Sequence, residues 1–149
     1  MRDHEGYMRL ALELAREAGG RGDTPVGCII ADAAGDVIGR GRNRREESKN
    51  AVEHAEILAI AEACGTLGNW RLSGCTMYVT LEPCPMCAWA IIQSRLKAVY
   101  FGSYDTSYGA LGSKIDLRTL GNSKLQVYGG IMEKECDKIL ENYFKMLRR

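Results

Sequence analysis

The sequence predicts an α/β fold in which a mixed sheet of five strands is covered by helices on both faces. Three observations predict it: apolar residues recur at helical spacing, five short runs are apolar or β-branched, and helix-forming segments separate most of these runs. Strands joined through helices need crossover connections, which place helices on both faces of the sheet. The 149 residues contain no repeat or linker, so we predict one domain, residues 1–149.

The predicted order is helix, two strands, helix, strand, helix, two strands and helix. In that order the elements cover residues 7–18, 26–31, 37–41, 54–64, 75–81, 84–94, 98–101, 125–128 and 133–147. Glycines are predicted to end the first two helices, at Gly19-Gly20 and at Gly65, because glycine readily takes the conformation that terminates a helix. The first two strands return on each other as a hairpin, and residues 44–50 form a polar loop.

The last two helices carry bulky apolar residues whose positions predict packing. One stripe of the final helix is formed by Cys136, Ile139, Leu140, Tyr143 and Leu147. Trp89 lies one turn into the helix of residues 84–94, and we expect this large ring to pack in the core or at a contact between subunits.

Composition excludes several classes of protein. Hydrophobic residues make up 46% of the chain and charged residues 26%, as in ordinary globular domains, and no apolar run approaches the ~20 residues that cross a bilayer. The first residues have no apolar core typical of a secretory signal, so a cytoplasmic location is expected. The net charge of the whole chain, +1, neither favours nor excludes binding to nucleic acid. Two local basic clusters are solvated faces or nucleic-acid contacts: Arg40, Arg42, Arg44 and Arg45, and Lys145, Arg148 and Arg149.

Two of the six cysteines have the spacing of metal ligands. Cys84 and Cys87 are three residues apart where a strand gives way to a helix, so both face the same way. The other four, Cys28, Cys64, Cys75 and Cys136, lie in apolar or periodic segments, where free cysteine behaves as a small buried hydrophobe.

His54 completes a predicted zinc site with Cys84 and Cys87. Zinc favours thiolate sulfur and imidazole nitrogen, and three protein ligands with one open position are typical of catalytic zinc. Such an ion lowers the pKa of bound water, which makes that water a nucleophile. A closed structural site, with a fourth ligand from Cys75, Cys64 or His4, is the alternative.

Glu56 is the candidate proton carrier of this site. Exchange of an aromatic amino group for oxygen requires several proton transfers, and one carboxylate beside the metal can perform all of them. Residues two apart in a regular helix point to nearly opposite sides. We therefore predict that His54 lies at the irregular entry of its helix, where both side chains reach one site.

The pattern His54-Ala55-Glu56 followed by Pro83-Cys84-Pro85-Met86-Cys87 is the signature of zinc-dependent nucleobase deaminases. From these residues outward the chain resembles the bacterial tRNA-specific adenosine deaminases of the cytidine-deaminase-like superfamily. Further matching stretches are Thr24-Pro25-Val26-Gly27, Arg42-Asn43-Arg44, residues 78–84, Phe101-Gly102, Asp105 and residues 109–113.

This resemblance implies a three-layer α/β/α fold, a homodimer and one zinc ion per subunit. It also implies conversion of adenosine to inosine at the wobble position, the first anticodon position, in the anticodon loop of a tRNA. By the same resemblance Asn43 holds the purine, Pro83 borders the base pocket and Asp105 lies by the RNA backbone.

Two positions depart from the family pattern near the site. Glu53 adds a negative charge just before His54, and Trp89 stands where many relatives have glycine. Phe144 and the terminal basic residues are expected to be available to an anticodon loop.

Three hypotheses of function remain open at this point. The first is editing of adenosine in tRNA, and the second is deamination of a free nucleobase or nucleoside of the guanine or cytosine type. RNA binding weakens steeply as salt rises and binding of a neutral base does not, so salt dependence separates these two. The third is a zinc-stabilised interaction module without catalysis.

Overall fold

The computed structural model describes residues 3–148 and contains five strands and five α-helices within them. The strands are β1 (Gly27–Ala31), β2 (Val37–Arg42), β3 (Thr76–Leu81), β4 (Ala98–Ser103) and β5 (Gln126–Tyr128). The helices are α1 (His4–Gly20), α2 (Arg45–Ser48), α3 (Ala55–Leu67), α4 (Pro85–Gln93) and α5 (Glu133–Leu147). Arg149, which belongs to the second predicted basic cluster, lies outside the described residues.

The strands form one mixed sheet in the order β2-β1-β3-β4-β5, which confirms the predicted fold class. β1 is antiparallel to both β2 and β3, and β3, β4 and β5 are parallel. β2, β3 and β4 therefore run in the same direction. Their carboxyl ends lie at one edge of the sheet, the usual position of a binding crevice in open α/β sheets.

Side chains alternate between the two faces of the sheet, as the period of a strand requires. In β1, Cys28 and Ile30 join a buried cluster with α3 and α4, whereas Ile29 joins a second cluster with α1 and α5. The sheet thus has two helices on each face. This arrangement confirms the three-layer architecture.

Close contact between α3 and β2 places the start of α3 at the carboxyl edge of the sheet. A methyl group on Gly41 would overlap the Ala55 carbonyl oxygen, so only glycine permits this approach. Ala55, Ala59 and Ala63 supply the matching small surface on the helix, and all three are fully buried. The small residues of β2 therefore position the residue that precedes α3, which is His54.

Several predicted boundaries differ from the observed ones. Gly65 does not end its helix: α3 continues to Leu67, and Gly68 ends it in the left-handed conformation, with φ of 64°. Gly65 is exposed, and a helix tolerates such a glycine at modest cost. The predicted polar loop at residues 44–50 contains the short helix α2, and a 3₁₀ segment, Leu117–Asn122, precedes β5.

Two packing predictions were wrong in part. Trp89 is 41% exposed on the outer side of α4, so it does not pack in the core of the subunit. On α5 only Cys136 is buried, and Leu147 at the end of the predicted stripe is exposed. The other cysteines are unbonded, and Cys28 and Cys75 are buried as expected, whereas Cys64 is only half-buried. No helix among residues 3–148 has the length and apolarity to span a membrane.

Candidate metal centre and active site

The start of α3 presents His54 and Glu56 to the same cavity. His54 is the residue before the helix and has extended backbone angles, φ −77° and ψ 155°, which confirms the predicted irregular entry. Glu56 belongs to the first helical turn and is 4% exposed. Because the helix has not begun at His54, the opposite-face rule of a regular helix does not separate the two side chains. Both line a cavity of about 470 Å³.

The start of α4 brings two sulfur atoms to the His54 ring. Cys84 precedes the helix, Pro85 is its first residue, and Cys87 lies in the first turn. His54 Nδ1 lies 3.6 Å from Cys84 Sγ and 3.5 Å from Cys87 Sγ. Proline is suited to the first helical position, because its fixed φ is already helical.

These three atoms fit a zinc ion. Tetrahedral zinc with the usual bond lengths, about 2.0 Å to nitrogen and 2.3 Å to sulfur, holds a nitrogen and a sulfur roughly 3.6 Å apart. Both observed separations agree with this value. Across residues 3–148, no fourth His, Cys, Asp or Glu joins the group, and three protein ligands are the number typical of catalytic zinc. The candidate fourth ligands have other partners, His4 at the Tyr78 hydroxyl and Cys64 at the Trp70 carbonyl.

Electrostatics prepare Cys84 as a thiolate ligand. A hydrogen bond from the Cys87 thiol, assisted by His54, lowers the pKa of Cys84 to about 4. The same hydrogen bond, together with burial, raises the pKa of Cys87. The hydrogen bond to Cys84 also raises the pKa of His54, against the opposing effect of burial. The pair thus holds one thiolate at neutral pH, and the second thiol loses its proton when a metal binds.

Burial raises the proton affinity of the Glu56 carboxylate. Loss of solvent raises the pKa of its carboxyl group to about 7, with a smaller contribution from the negative charge of Cys84. The carboxylate is not part of the three-residue ligand group. A group whose pKa lies near the working pH both accepts and returns protons efficiently.

Asn43 has a structural role that the sequence did not reveal. Its Oδ1 accepts a hydrogen bond of 2.9 Å from the Ala55 N–H, the first amide of α3, and His54 makes no side-chain cap itself. Asn43 therefore caps this helix from the end of β2. Its side-chain nitrogen, Nδ2, makes no hydrogen bond within the described chain, and Asn43 lines the cavity, so Nδ2 can donate to a ligand there.

Asp105 and Pro83 occupy different surroundings. Asp105 follows β4 and lines the cavity, while its Oδ1 accepts hydrogen bonds from the Ser107 and Tyr108 amides. Pro83 is buried, and its carbonyl accepts a hydrogen bond from Ala110. Glu82 and Cys84, on either side of it, line the cavity, but Pro83 is not among the described residues that do.

Seven residues that line the cavity were not among the predicted site residues: Thr24, Val26, Arg45, Leu81, Glu82, Tyr108 and Phe144. Phe144, for which the sequence predicts only availability to RNA, also lines a second groove with Lys145 and Arg148. Tyr108 is 70% exposed, which is unusual for a large aromatic residue and is a signal of function only once the fold is known.

Size alone would have misplaced the site. A larger groove, about 610 Å³, lies beside Trp89 and Leu120. Its described lining contains no His, Cys, Asp or Glu, and so no group suited to binding zinc or transferring protons near neutral pH. The smaller cavity at the carboxyl edge of the sheet is therefore the candidate active site.

Comparisons with known proteins agree with this location. The protein-family model for the cytidine and deoxycytidylate deaminase zinc-binding region matches residues 1–103 of this chain. A tRNA-specific adenosine deaminase of Bacillus subtilis is 41% identical over an alignment that covers 100% of this chain and 93% of that protein. A solved structure from studies of A-to-I editing by deaminases at the wobble position of transfer RNA is also 41% identical. Its TM-score is 0.86, with 90% of this chain and 98% of that chain covered.

A guanine deaminase of Bacillus subtilis is a more distant structural relative. It is 32% identical, with a TM-score of 0.68, and the match covers 76% of this chain and 83% of that chain. The same framework therefore accompanies deaminases of both kinds.

Proposed function

This chain belongs to the cytidine and deoxycytidylate deaminase zinc-binding family, and within it to the tRNA-specific adenosine deaminases; from this we propose that it converts adenosine to inosine at the wobble position of a tRNA anticodon loop. One observation carries the proposal. His54 and Cys84, which form a ligand group with the buried Cys87, line one cavity with Glu56 in a chain that is 41% identical, over its whole length, to an enzyme of that class.

In this proposal His54, Cys84 and Cys87 hold one zinc ion per subunit. The ion, when bound, supplies the Lewis acidity that makes water reactive near neutral pH. Glu56 takes a proton from the attacking water and gives it to a ring nitrogen of the purine. It then carries a second proton from the new hydroxyl group to the departing amino nitrogen, so that adenosine and water yield inosine and ammonia.

We assign recognition of the base and its flanking backbone to the rim of the cavity. The free amide nitrogen of Asn43 donates to an acceptor on the purine, Pro83 supports the wall behind it, and Asp105 lies beside the RNA backbone. Arg45 lines the cavity and makes no ion pair with any residue in the described range, so its charge is available to a phosphate. Its neighbours Arg42 and Arg44 are instead paired with Glu47.

The proposed assembly is a homodimer that acts on tRNA in the cytoplasm. Its support is an exposed apolar row on the outer side of α4, where Met86 is 36% and Trp89 41% exposed. Leu120 is exposed in the groove beside Trp89. Apolar rows of this kind are typical of surfaces that meet another protein.

A side-by-side assay tests the substrate. Purified enzyme with one zinc per chain is incubated with an anticodon stem–loop RNA, adenosine, guanine and cytidine, and products are followed by mass spectrometry at low and high salt. We expect deamination of the RNA, with a rate that falls steeply as salt rises. Turnover of guanine with no change in the RNA would overturn the proposal in favour of a free-base deaminase, the alternative that the guanine deaminase relative supports.

A further inference from the structure

A buried carboxylate without a cationic partner lies between β3 and the first cysteine ligand. Glu82 is 2% exposed and stands two residues before Cys84. Within residues 3–148 no Lys, Arg or His lies within ion-pair distance of it. A buried charge of this kind must be satisfied by hydrogen bonds.

Every side-chain hydrogen bond that Glu82 accepts comes from one segment, residues 105–113, which we name the 105–113 loop. The Asp105 amide donates to Oε1 at 3.1 Å, and the Leu111 and Ser113 amides donate to Oε2 at 3.3 and 3.1 Å. The Ser113 hydroxyl donates to Oε1. An ionised carboxylate only accepts hydrogen bonds and has about four lone-pair positions, so these four donors match its capacity.

A backbone hydrogen bond and a glycine allow the loop to lie close to the carboxylate. The Ala110 amide donates to the Pro83 carbonyl at 2.9 Å. A methyl group on Gly109 would lie only 2.5 Å from Cδ of Glu82. Glycine at this position therefore permits the close approach that the hydrogen bonds require.

The 105–113 loop also carries part of the cavity wall. Asp105 and Tyr108 belong to it and line the same cavity as the ligand Cys84, which lies two residues after Glu82. Glu82 thus connects the turn that holds the metal to the loop that faces the substrate. We propose that Glu82 is a positioning residue, which fixes the 105–113 loop against the metal-binding turn and so sets the affinity for substrate, without being a zinc ligand.

Glutamine is the informative replacement. Glu82→Gln keeps the size of the side chain but turns an NH₂ group toward at least one amide or hydroxyl donor, which breaks that hydrogen bond and opposes two donors to each other. Ser113→Ala removes only the hydroxyl donor and is the milder variant. Ser107→Ala is the matched control, because Ser107 is an exposed serine of the same loop whose hydroxyl makes no hydrogen bond within the described chain.

The test measures zinc content, thermal unfolding, hydrogen–deuterium exchange, and kcat and KM on the best substrate of the side-by-side assay. For Glu82→Gln we expect one zinc per chain, faster amide exchange confined to the 105–113 loop, and a KM raised at least tenfold with a smaller change in kcat. Ser113→Ala should increase loop exchange and KM by smaller amounts. Ser107→Ala should leave loop exchange and KM unchanged.

Two results would overturn the inference. One is unchanged loop exchange and unchanged KM in Glu82→Gln, or in Ser113→Ala if the first variant does not fold. The other is loss of zinc from a folded Glu82→Gln protein. The kinetic readout rests on the proposed function, but the exchange readout does not. If the wild-type protein deaminates nothing, the proposed function fails, and the exchange comparison still decides whether Glu82 holds the loop.

Discussion

His54 and Glu56 are two residues apart in the chain, yet their side chains face one cavity, because His54 precedes α3 and Glu56 lies in its first turn. In the proposed function this arrangement assigns metal binding to His54 and proton transfer to Glu56 at one helix start. The imidazole is fixed against two sulfur atoms, and the carboxylate is buried beside them without joining the ligand group.

Glu56→Gln tests the division of roles. The variant keeps the three candidate ligands, so we expect one zinc per chain by metal analysis and an unchanged circular dichroism spectrum. Removal of a general acid–base group typically lowers the rate by about 10²–10⁴-fold, and kcat should fall by at least the lower figure. Glu53→Gln is the control, because Glu53 lies three positions earlier and does not line the cavity. A Glu56→Gln enzyme with normal kcat would assign the proton transfers to another group.

The strands and the metal ligands could be predicted from the sequence, whereas features that depend on contacts between distant residues could not. The strands contribute side chains to both buried clusters, and strands buried on both faces are recognisable in the chain as short continuous apolar or β-branched runs. His54, Cys84 and Cys87 were identifiable because their chemistry restricts them to few roles. Glu82 was not, since its four donors lie more than twenty positions away and a lone glutamate is normally exposed.

Local signals also competed with one another at helix ends. Gly65 and Gly68 are both possible terminators of α3, and only tertiary packing decides between them. Thr66 in the last turn donates to the Ile38 carbonyl of β2, which holds the helix against the sheet beyond Gly65. The exposure of Trp89 was equally hidden, because a bulky apolar residue on a helix is more often buried.

Glu47 gives the fold a defined dependence on acid. It accepts hydrogen bonds from Arg42, Arg21 and Arg44, and these lower its pKa. The folded chain therefore holds this proton more weakly than the unfolded chain. The resulting stabilisation is present above the unfolded-state pKa, about 4.3, and is lost as pH falls through the lower folded-state value.

We predict that Glu47→Gln is less stable than the wild type at pH 7 and that the difference shrinks between about pH 4.3 and more acidic values. Urea unfolding midpoints at pH 7, 5, 4 and 3 measure it. Glu46→Gln is the control, since Glu46 makes no ion pair within the described chain. A difference that is the same at pH 3 as at pH 7 would contradict the assignment of the effect to this carboxylate.

Trp89 tests the proposed homodimer. Because its ring is 41% exposed on the outer side of α4, Trp89→Glu adds a charge to the proposed contact without disturbing the core. Light scattering should give twice the 16.5 kDa mass of one chain for the wild type and a single chain for the variant. Leu147→Glu, at an apolar position that is 61% exposed at the end of α5, should remain dimeric. A wild-type protein that is monomeric at micromolar concentration would refute the dimer.

Arg45 tests the contact with RNA. Arg45 lines the cavity and makes no ion pair within the described chain, whereas Arg40 lies on β2 and lines a separate cavity with Glu13 and Glu17. We expect Arg45→Gln to raise KM for an anticodon stem–loop and to reduce the slope of log KM against log salt by about 1, the effect of one lost phosphate contact. Free adenosine carries no phosphate, so its KM should not respond. Arg40→Gln should leave the salt slope unchanged. An equal change of slope in both variants would contradict a specific phosphate contact of Arg45 and indicate non-specific attraction of RNA by positive charge.

Asn43 combines a helix cap with a donor that faces the cavity, and one substitution separates the two. Asn43→Asp keeps an oxygen that accepts from the Ala55 amide, and a negative charge at a helix start is favourable, so its melting temperature should stay near that of the wild type. It loses the NH₂ donor, and KM should rise about tenfold or more, because a buried acceptor on the base is left unpaired.

Asn43→Ala loses both functions, and the lost cap should lower stability by about 1 kcal/mol in addition. Asn50→Asp is the control outside the cavity: the Asn50 side chain accepts a hydrogen bond from the Val52 amide and donates one to Glu53, so the variant makes the same exchange of groups where no substrate is proposed to bind. Thermal unfolding and KM on the same preparations distinguish the roles. If Asn43→Asp keeps both its melting temperature and its KM, Asn43 serves only as the cap of α3, and the purine must be held by another group.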